Sequence, residues 1–238
     1  VLNQNIVIDP AFEGPPASAH GGYACGLLAP YLPPDAEITL RKPVRLGVTL
    51  RLKRGDGGLR LHDGFAVVAE AGTTTLVNRA PRPPTVAEAS SAAEAFPGRA
   101  SSAFARCVVC GTGRTDADAF RVFPGPLPGR DLMAAVWRPN GSALAGDTIK
   151  PEYVWAALDC PAGWAAMWFG PRSGVAVLGR MAAWVPGPIA AYDTHILVGW
   201  LEGGSGRKLH AGSALYSPSG TLQAFSCQTW ITLTKEPR

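Results

Sequence analysis

The sequence predicts an α+β protein built from two copies of one unit, each a buried helix followed by about four long antiparallel strands. Three observations lead there. First, 28 Gly and 22 Pro among 238 residues predict many turns and short elements, against a helical bundle or coiled coil. The 47% apolar share supplies a core and excludes wholesale disorder. Second, residues 55–73 (GDGGLRLHDGFAVVAEAGT) match residues 203–221 (GGSGRKLHAGSALYSPSGT) without a gap at an offset of 148. Eight of nineteen positions are identical, among them Gly55/Gly203, Leu61/Leu209, His62/His210 and Gly64/Gly212; average usage would give roughly one or two. Third, each copy has an apolar segment of helical length upstream of its strands. A period near 150 is too long for a solenoid and reads as a tandem duplication. The units are 1–80 and 106–238, with a crossover at 81–105.

In the first unit, residues 5–9 are a short strand. Residues 12–22 form a loop dense in chain breakers. Residues 23–32 are small and apolar nearly all round, as a buried helix is. Strands follow at 36–44, 47–53, 59–71 and 73–79, with Gly64 marking a bulge in the long 59–71 strand. The crossover opens Pro-rich at 81–84. It then holds a short helix over 85–96, with Thr85 as N-cap and Glu88 completing a capping box. In the second unit, 119–123 and 132–137 are strands. Residues 151–165 are the helix, with Pro151 at its first position and Glu152 suiting its positive end. Strands follow at 174–185, 194–201, 208–216 and 222–234.

Net charge is +4, from seventeen Arg and five Lys against 18 acidic residues. The basic residues nowhere form the stripe that a nucleic-acid partner needs, although a phosphorylated small molecule fits. No run of eighteen apolar residues predicts a membrane span, and no secretory signal is visible. Five scattered cysteines are an odd count for a secreted disulfide framework, so a cytoplasmic protein with reduced thiols is expected. Cys107-Val-Val-Cys110 is a lone CxxC. It allows a zinc knuckle, a redox pair or a plain turn. Zinc normally takes four ligands from two such knuckles, so a plain turn without metal is the expectation, and no cofactor is implied. There is no G-x-S-x-G and no Gly-rich nucleotide fingerprint, which argues against the α/β-hydrolase and Rossmann routes.

Three motifs carry a resemblance: Gly14-Pro-Pro-Ala-Ser-Ala-His20-Gly21-Gly22-Tyr23 at the helix entry, Ala156-Ala-Leu-Asp159-Cys160 within the second helix, and Ala224-Phe-Ser-Cys-Gln228 in the last strand. Together they resemble the hotdog thioesterases. The second half is similar to the carboxy-terminal half of acyl-CoA thioesterase II, a tandem (double) hotdog enzyme in which a long helix is wrapped by an antiparallel sheet. The resemblance implies hydrolysis of an acyl-CoA thioester, with Asp159 and Gln228 as catalytic residues. The family's hydroxyl residue, two positions before an Asp-His pair, falls on Ala191 in Ala191-Tyr-Asp193-Thr194-His195. Thr194 supplies a hydroxyl if the alignment shifts.

Thioester hydrolysis needs an activated water, a polarised carbonyl and room for an acyl chain. Asp159 suits the general base and Gln228 could orient the water. His20 and the backbone N–H groups of Gly21 and Gly22 lie where an oxyanion hole at a helix start would form. Tyr23, Asp193, His195 and Trp164 complete the expected substrate contacts. The plain alternatives are that Asp159 ends its helix, His20 pins its loop, Gln228 is a satisfied core amide, and Asp193 and His195 occupy a strand edge. Two other functions fit the same fold: a non-hydrolytic acyl-CoA or small-ligand binder, and a dehydratase or hydratase pairing His20 with Asp159. Further association into a homo-oligomer through exposed sheet edges is also expected.

Overall fold

The computed structural model describes residues 2–55, 57–100, 103–171 and 174–234. Asp56 of the repeat and Ser101 and Ser102 of the crossover therefore lie outside the described residues. The first half comprises β1 (Asn3–Val7), α1 (Gly21–Leu28), β2 (Asp35–Leu40), β3 (Thr49–Gly55), β4 (Gly58–Asp63) and β5 (Ala66–Thr73). The crossover carries α2 (Val86–Glu94). The second half has β6 (Gly125–Pro126), β7 (Met133–Trp137), β8 (Leu144–Ala145), β9 (Thr148–Ile149) and α3 (Pro151–Phe169). It continues with β10 (Ala176–Trp184), β11 (Ile189–Ala190), β12 (His195–Ser205), β13 (Lys208–Tyr216) and β14 (Leu222–Thr232).

One antiparallel sheet runs in the order β1-β3-β4-β5-β2-β10-β14-β13-β12-β7-β6. Outward from its centre, the two flanks read β2-β5-β4-β3-β1 and β10-β14-β13-β12-β7, the second extended at its edge by the two-residue β6. Each flank thus repeats one connectivity: strand, helix, then four strands. The flanks join where β2 pairs with β10, from Thr39 opposite Arg180 to Asp35 opposite Trp184.

Helices α1 and α3 meet through glycines. A side chain at Gly26 would come within 2.6 Å of Glu152 Cα, and one at Gly22 equally close to the Trp155 carbonyl. Helix α3 continues through Pro161, whose carbonyl sits where a side chain on Gly199 of β12 would be. On the other face of β12, Ile196, Val198 and Trp200 share a second apolar cluster with Ala89 and Ala92 of α2. Because α3 covers one face and α2 the other, residues 195–200 are all buried. A strand buried on both faces reads as a continuous apolar run. The capping box on α2 is present: Glu88 N–H donates to Thr85 Oγ1 at 3.2 Å, and Thr85 N–H to Glu88 Oε2 at 2.7 Å. Among the described residues no helix is long and apolar enough to cross a membrane.

The structure corrects four expectations. Residues 59–71 are not one bulged strand: Gly64, at φ 58°, turns the chain between β4 and β5. Residues 74–79 form no strand, and β5 ends at Thr73. Residues 119–123 also form none. Phe120 and Val122 donate instead to the carbonyls of Val108 and Val109, and Arg121 takes φ 56° between them. Finally, the gapless offset of 148 misaligns the two hairpins. Gly55 pairs with Gly58 and Ser205 with Lys208, so the corresponding turns lie 150 residues apart. A register shift in β12 between Leu201 and Gly203 accompanies the difference.

Candidate active site

The site forms where the first-half loop meets α3. Gly14 N–H donates to the Ser18 carbonyl and His20 N–H to the Phe12 carbonyl, folding the loop back on itself. Gly14 is required there, since a Cβ would lie 2.7 Å from His20 Cα. His20 is the N-cap of α1, with Nδ1 accepting from Tyr23 N–H at 3.3 Å. From α3, Asp159 reaches the same turn. Its Oδ2 accepts the Gly22 N–H at 2.6 Å and lies 3.5 Å from His20 Nδ1. A carboxylate at a helix N-terminus is favourably placed against the helix dipole. The other oxygen, Oδ1, has no hydrogen-bond partner among the described residues.

Both groups are buried, and their acidities follow from their surroundings. Burial pushes the Asp159 carboxyl up to about 6, against the opposing pull of His20 and the Gly22 N–H. Burial alone would lower the His20 imidazole, but Asp159 and Cys107 together raise it above its ordinary value. Three buried thiols adjoin the pair. His20 Nε2 lies 3.4 Å from Cys160 Sγ, and Cys160 Sγ lies 3.8 Å from Cys107 Sγ. Trp164 Nε1–H donates to Cys110 Sγ at 3.4 Å. Burial would raise the Cys107 thiol, yet bonds from Cys110, Cys160 and His20 bring it well below the ordinary thiol range. Burial holds Cys160 above that range.

These groups form part of the wall of a cavity of about 550 Å³. One side is the 14–21 loop and residues 40–44 at and beyond the end of β2; the other is α3 with residues 177–179, Trp230, Ile231 and Leu233. The lining is largely apolar, including Trp164, Met167, Leu178 and Trp230, with Arg41 and Lys42 among its few charged members. Glycine keeps the space open: a side chain on Gly163 would run into the Trp230 ring.

His20, Gly21, Asp159 and Trp164 all line this cavity. Gly22 does not, because its N–H is spent on Asp159 and its Cα abuts α3. Tyr23 stacks on Phe12 and lies edge-on to Tyr153. Gln228 is a satisfied core amide. Its Nε2 donates to the Leu158 carbonyl at 2.9 Å and Ser226 Oγ at 2.7 Å, while Oε1 accepts from Trp230 Nε1 at 2.8 Å. It borders a separate depression of about 310 Å³. Asp193 is exposed and Thr194 half-buried, and neither lines either space. Buried His195 donates from Nδ1 to Gln223 Oε1 at 2.9 Å and accepts Tyr192 N–H on Nε2 at 3.3 Å. Sequence reasoning missed the thiols in the wall. Only the CxxC and the adjacency of Cys160 to Asp159 hinted at them.

The fold is shared over nearly the whole chain with solved hotdog proteins. The tesB protein of Mycobacterium avium subsp. paratuberculosis superposes with TM-score 0.60 at 15% identity, covering 97% of this chain and 93% of that one. The acyl-CoA thioesterase II TesB2 of Mycobacterium marinum gives 0.59 at 13%, covering 99% and 94%. A hotdog-fold protein of unknown function from Alicyclobacillus acidocaldarius gives 0.58 at 11%, covering 98% and 94%. No protein-family model matches the sequence, and no curated protein reaches significant similarity to it. The protein therefore has an α+β hotdog fold, in the architecture that thioesterase II structures also adopt.

Proposed function

We propose that this chain is an acyl-CoA thioesterase-like hydrolase on a tandem double hotdog, with units 1–80 and 106–238 joined by the 81–105 crossover. Support for the tandem reading comes from the shared strand order of the two flanks. One observation carries the catalytic reading: Asp159 is buried, lines the cavity, and keeps one carboxylate oxygen without a hydrogen-bond partner among the described residues. An unsatisfied buried acceptor costs about 1–3 kcal/mol or more; Oδ1 is shielded from the cavity in this conformation, and a small rotation of the side chain that admits a water to it would offset the cost. In this reading Asp159 takes a proton from the water as its oxygen attacks the thioester carbonyl. The Gly21 N–H, for which the described residues supply no partner, would face the developing oxyanion together with the positive end of α1. Collapse of the tetrahedral intermediate breaks the C–S bond and releases the fatty acid and the coenzyme A thiol, the thiol taking the proton.

The test is hydrolysis of a panel of acyl-CoA esters, with Asp159→Asn expected to lose about 10²-fold or more, as for removal of a general base. Wild-type protein inert across the panel would overturn the reading. One observation favours the non-hydrolytic binder instead: neither Gln228 nor Thr194 lines the cavity, leaving Asp159 without the amide and hydroxyl that the resemblance implies. Tight acyl-CoA binding by calorimetry with no turnover would establish that alternative.

A further inference from the structure

Three side chains with metal-ligating atoms converge from distant parts of the chain: His20 at the start of α1, Cys107 in the turn after the crossover, and Cys160 on α3; a fourth, Cys110, lies in the same turn as Cys107. We propose that they form a Cys3His site for a thiophilic divalent cation of the zinc class. The site adjoins Asp159 in the same cavity wall, but does not depend on Asp159 acting as a base.

Distances carry the argument. The ligand atoms of His20, Cys107 and Cys160 all lie within 4.8 Å of one another. Tetrahedral zinc, with Zn–S near 2.3 Å and Zn–N near 2.05 Å, sets thiolates roughly 3.8 Å apart and thiolate and imidazole nitrogen roughly 3.6 Å apart. The structure has Cys107 Sγ to Cys160 Sγ at 3.8 Å and Cys160 Sγ to His20 Nε2 at 3.4 Å. Cys110 is the fourth candidate, buried and three residues along the same turn as Cys107; its Sγ is not among the three atoms that lie within 4.8 Å of one another, so its thiol must shift to complete the tetrahedron.

The surroundings fit a metal. Cys107 to Gly111 is folded as a knuckle: Cys110 N–H donates to Cys107 Sγ at 3.5 Å and Gly111 N–H to the Cys107 carbonyl at 2.8 Å. Gly111 is needed, since a side chain would come within 2.5 Å of that carbonyl. The backbone donor on Cys107 and the Trp164 N–H on Cys110 offset negative charge on the sulfurs. His20 would bind through Nε2, leaving its ring proton on Nδ1 and facing Asp159 Oδ2 at 3.5 Å instead of accepting from Tyr23. A carboxylate behind a ligating histidine is the usual outer-shell arrangement. A disulfide is a poorer account, because its S–S bond is near 2.05 Å and would use two thiols while leaving a third and the imidazole unexplained. With Cys110 turned in as the fourth ligand, all four come from protein and the cation holds structure, tying the 20-loop and the 107-turn to α3.

The experiment is elemental analysis of the full chain purified without added metal, followed by cobalt substitution. The expected result is about one zinc per chain. Cobalt should give the intense d–d bands of a tetrahedral ion and a thiolate charge-transfer absorption of a strength proper to three sulfurs. Cys110→Ser and Cys160→Ser should lose stoichiometric binding, whereas Cys227→Ser should keep it. Should the serine variants fail to fold, the wild-type cobalt spectrum still decides, because it counts thiolates directly. Folded wild-type chain that takes up neither ion, an octahedral cobalt spectrum, or a Cys107–Cys160 disulfide in protein kept under reductant would each overturn the site.

Discussion

Gly22 donates its backbone N–H to Asp159 Oδ2 at 2.6 Å, and only the absence of a side chain lets the two elements come that close. A Cβ on Gly22 would lie 2.6 Å from Asp159 Cβ and 2.6 Å from the Trp155 carbonyl oxygen. The second neighbour is helix backbone and cannot rotate away. The glycine that shapes the α1–α3 interface is therefore the same residue that positions the buried carboxylate.

Gly22→Ala should accordingly destabilise the fold by about 1–3 kcal/mol, the range for overpacking a close-packed interior. Urea denaturation followed by circular dichroism measures it. Gly141→Ala is the control, since nothing lies within 4 Å of its added methyl, and it should stay within about 0.5 kcal/mol of wild type. Equal effects in the two variants would mean that the helix contact is loose.

How much of this was legible in the sequence depends on how local each cause is. The Thr85–Glu88 capping box and the Pro151 start of α3 are set within one helical turn, and both were readable. Gly64 was misread because a glycine inside an apolar run signals either a bulge or a turn, and the choice rests on which strand pairs beyond it. The Gln228 amide looked available because its partners, Leu158 and Trp230, are fixed only by packing α3 on β14. The thiol cluster was the least legible. Cys160 meets Cys107 across 53 residues of chain and His20 across 140, separations at which no spacing rule operates.

Gln228→Ala should act on stability more than on chemistry. It strands the Trp230 indole N–H, which donates to Gln228 Oε1, while the Leu158 carbonyl keeps the Ser213 hydroxyl. The loss should be about 1–3 kcal/mol for the stranded donor. Turnover per folded molecule should change only a few-fold. A loss near a hundredfold in well-folded protein would return Gln228 to the catalytic set.

Arg41 and Lys42 are among the few charged residues lining the cavity. Arg41 is already paired with Glu70 at 2.6 Å, which leaves Lys42 freer to meet phosphates. Lys42→Glu should raise KM for acyl-CoA about tenfold at low salt, with the gap shrinking as salt screens exposed charge. Thioesters of pantetheine, which lack the nucleotide phosphates, should be nearly indifferent. Equal losses for both substrates would place the nucleotide elsewhere.

His195 makes the fold sensitive to acid. Burial lowers its proton affinity below the ordinary value of 6.5, opposed by the bond to Gln223. The faces around it carry Trp137, Tyr192 and Gln223, none a carboxylate. In the unfolded chain the imidazole takes up its proton as pH falls through about 6.5, whereas the folded chain resists until a lower pH. The unfolded state then binds more protons, so stability present above that value is lost as pH falls, by at most about 1.4 kcal/mol per pH unit for one group. His20 works in the opposite sense, since its folded value is raised, and total stability mixes the two. The comparison that isolates His195 is urea unfolding of wild type and His195→Gln between about pH 7 and pH 5. Wild type should lose stability more steeply than the variant across that window. Parallel slopes would mean that His195 takes up its proton as readily in the folded state as in the unfolded one, with its bonds to Tyr192 and Gln223 rearranged.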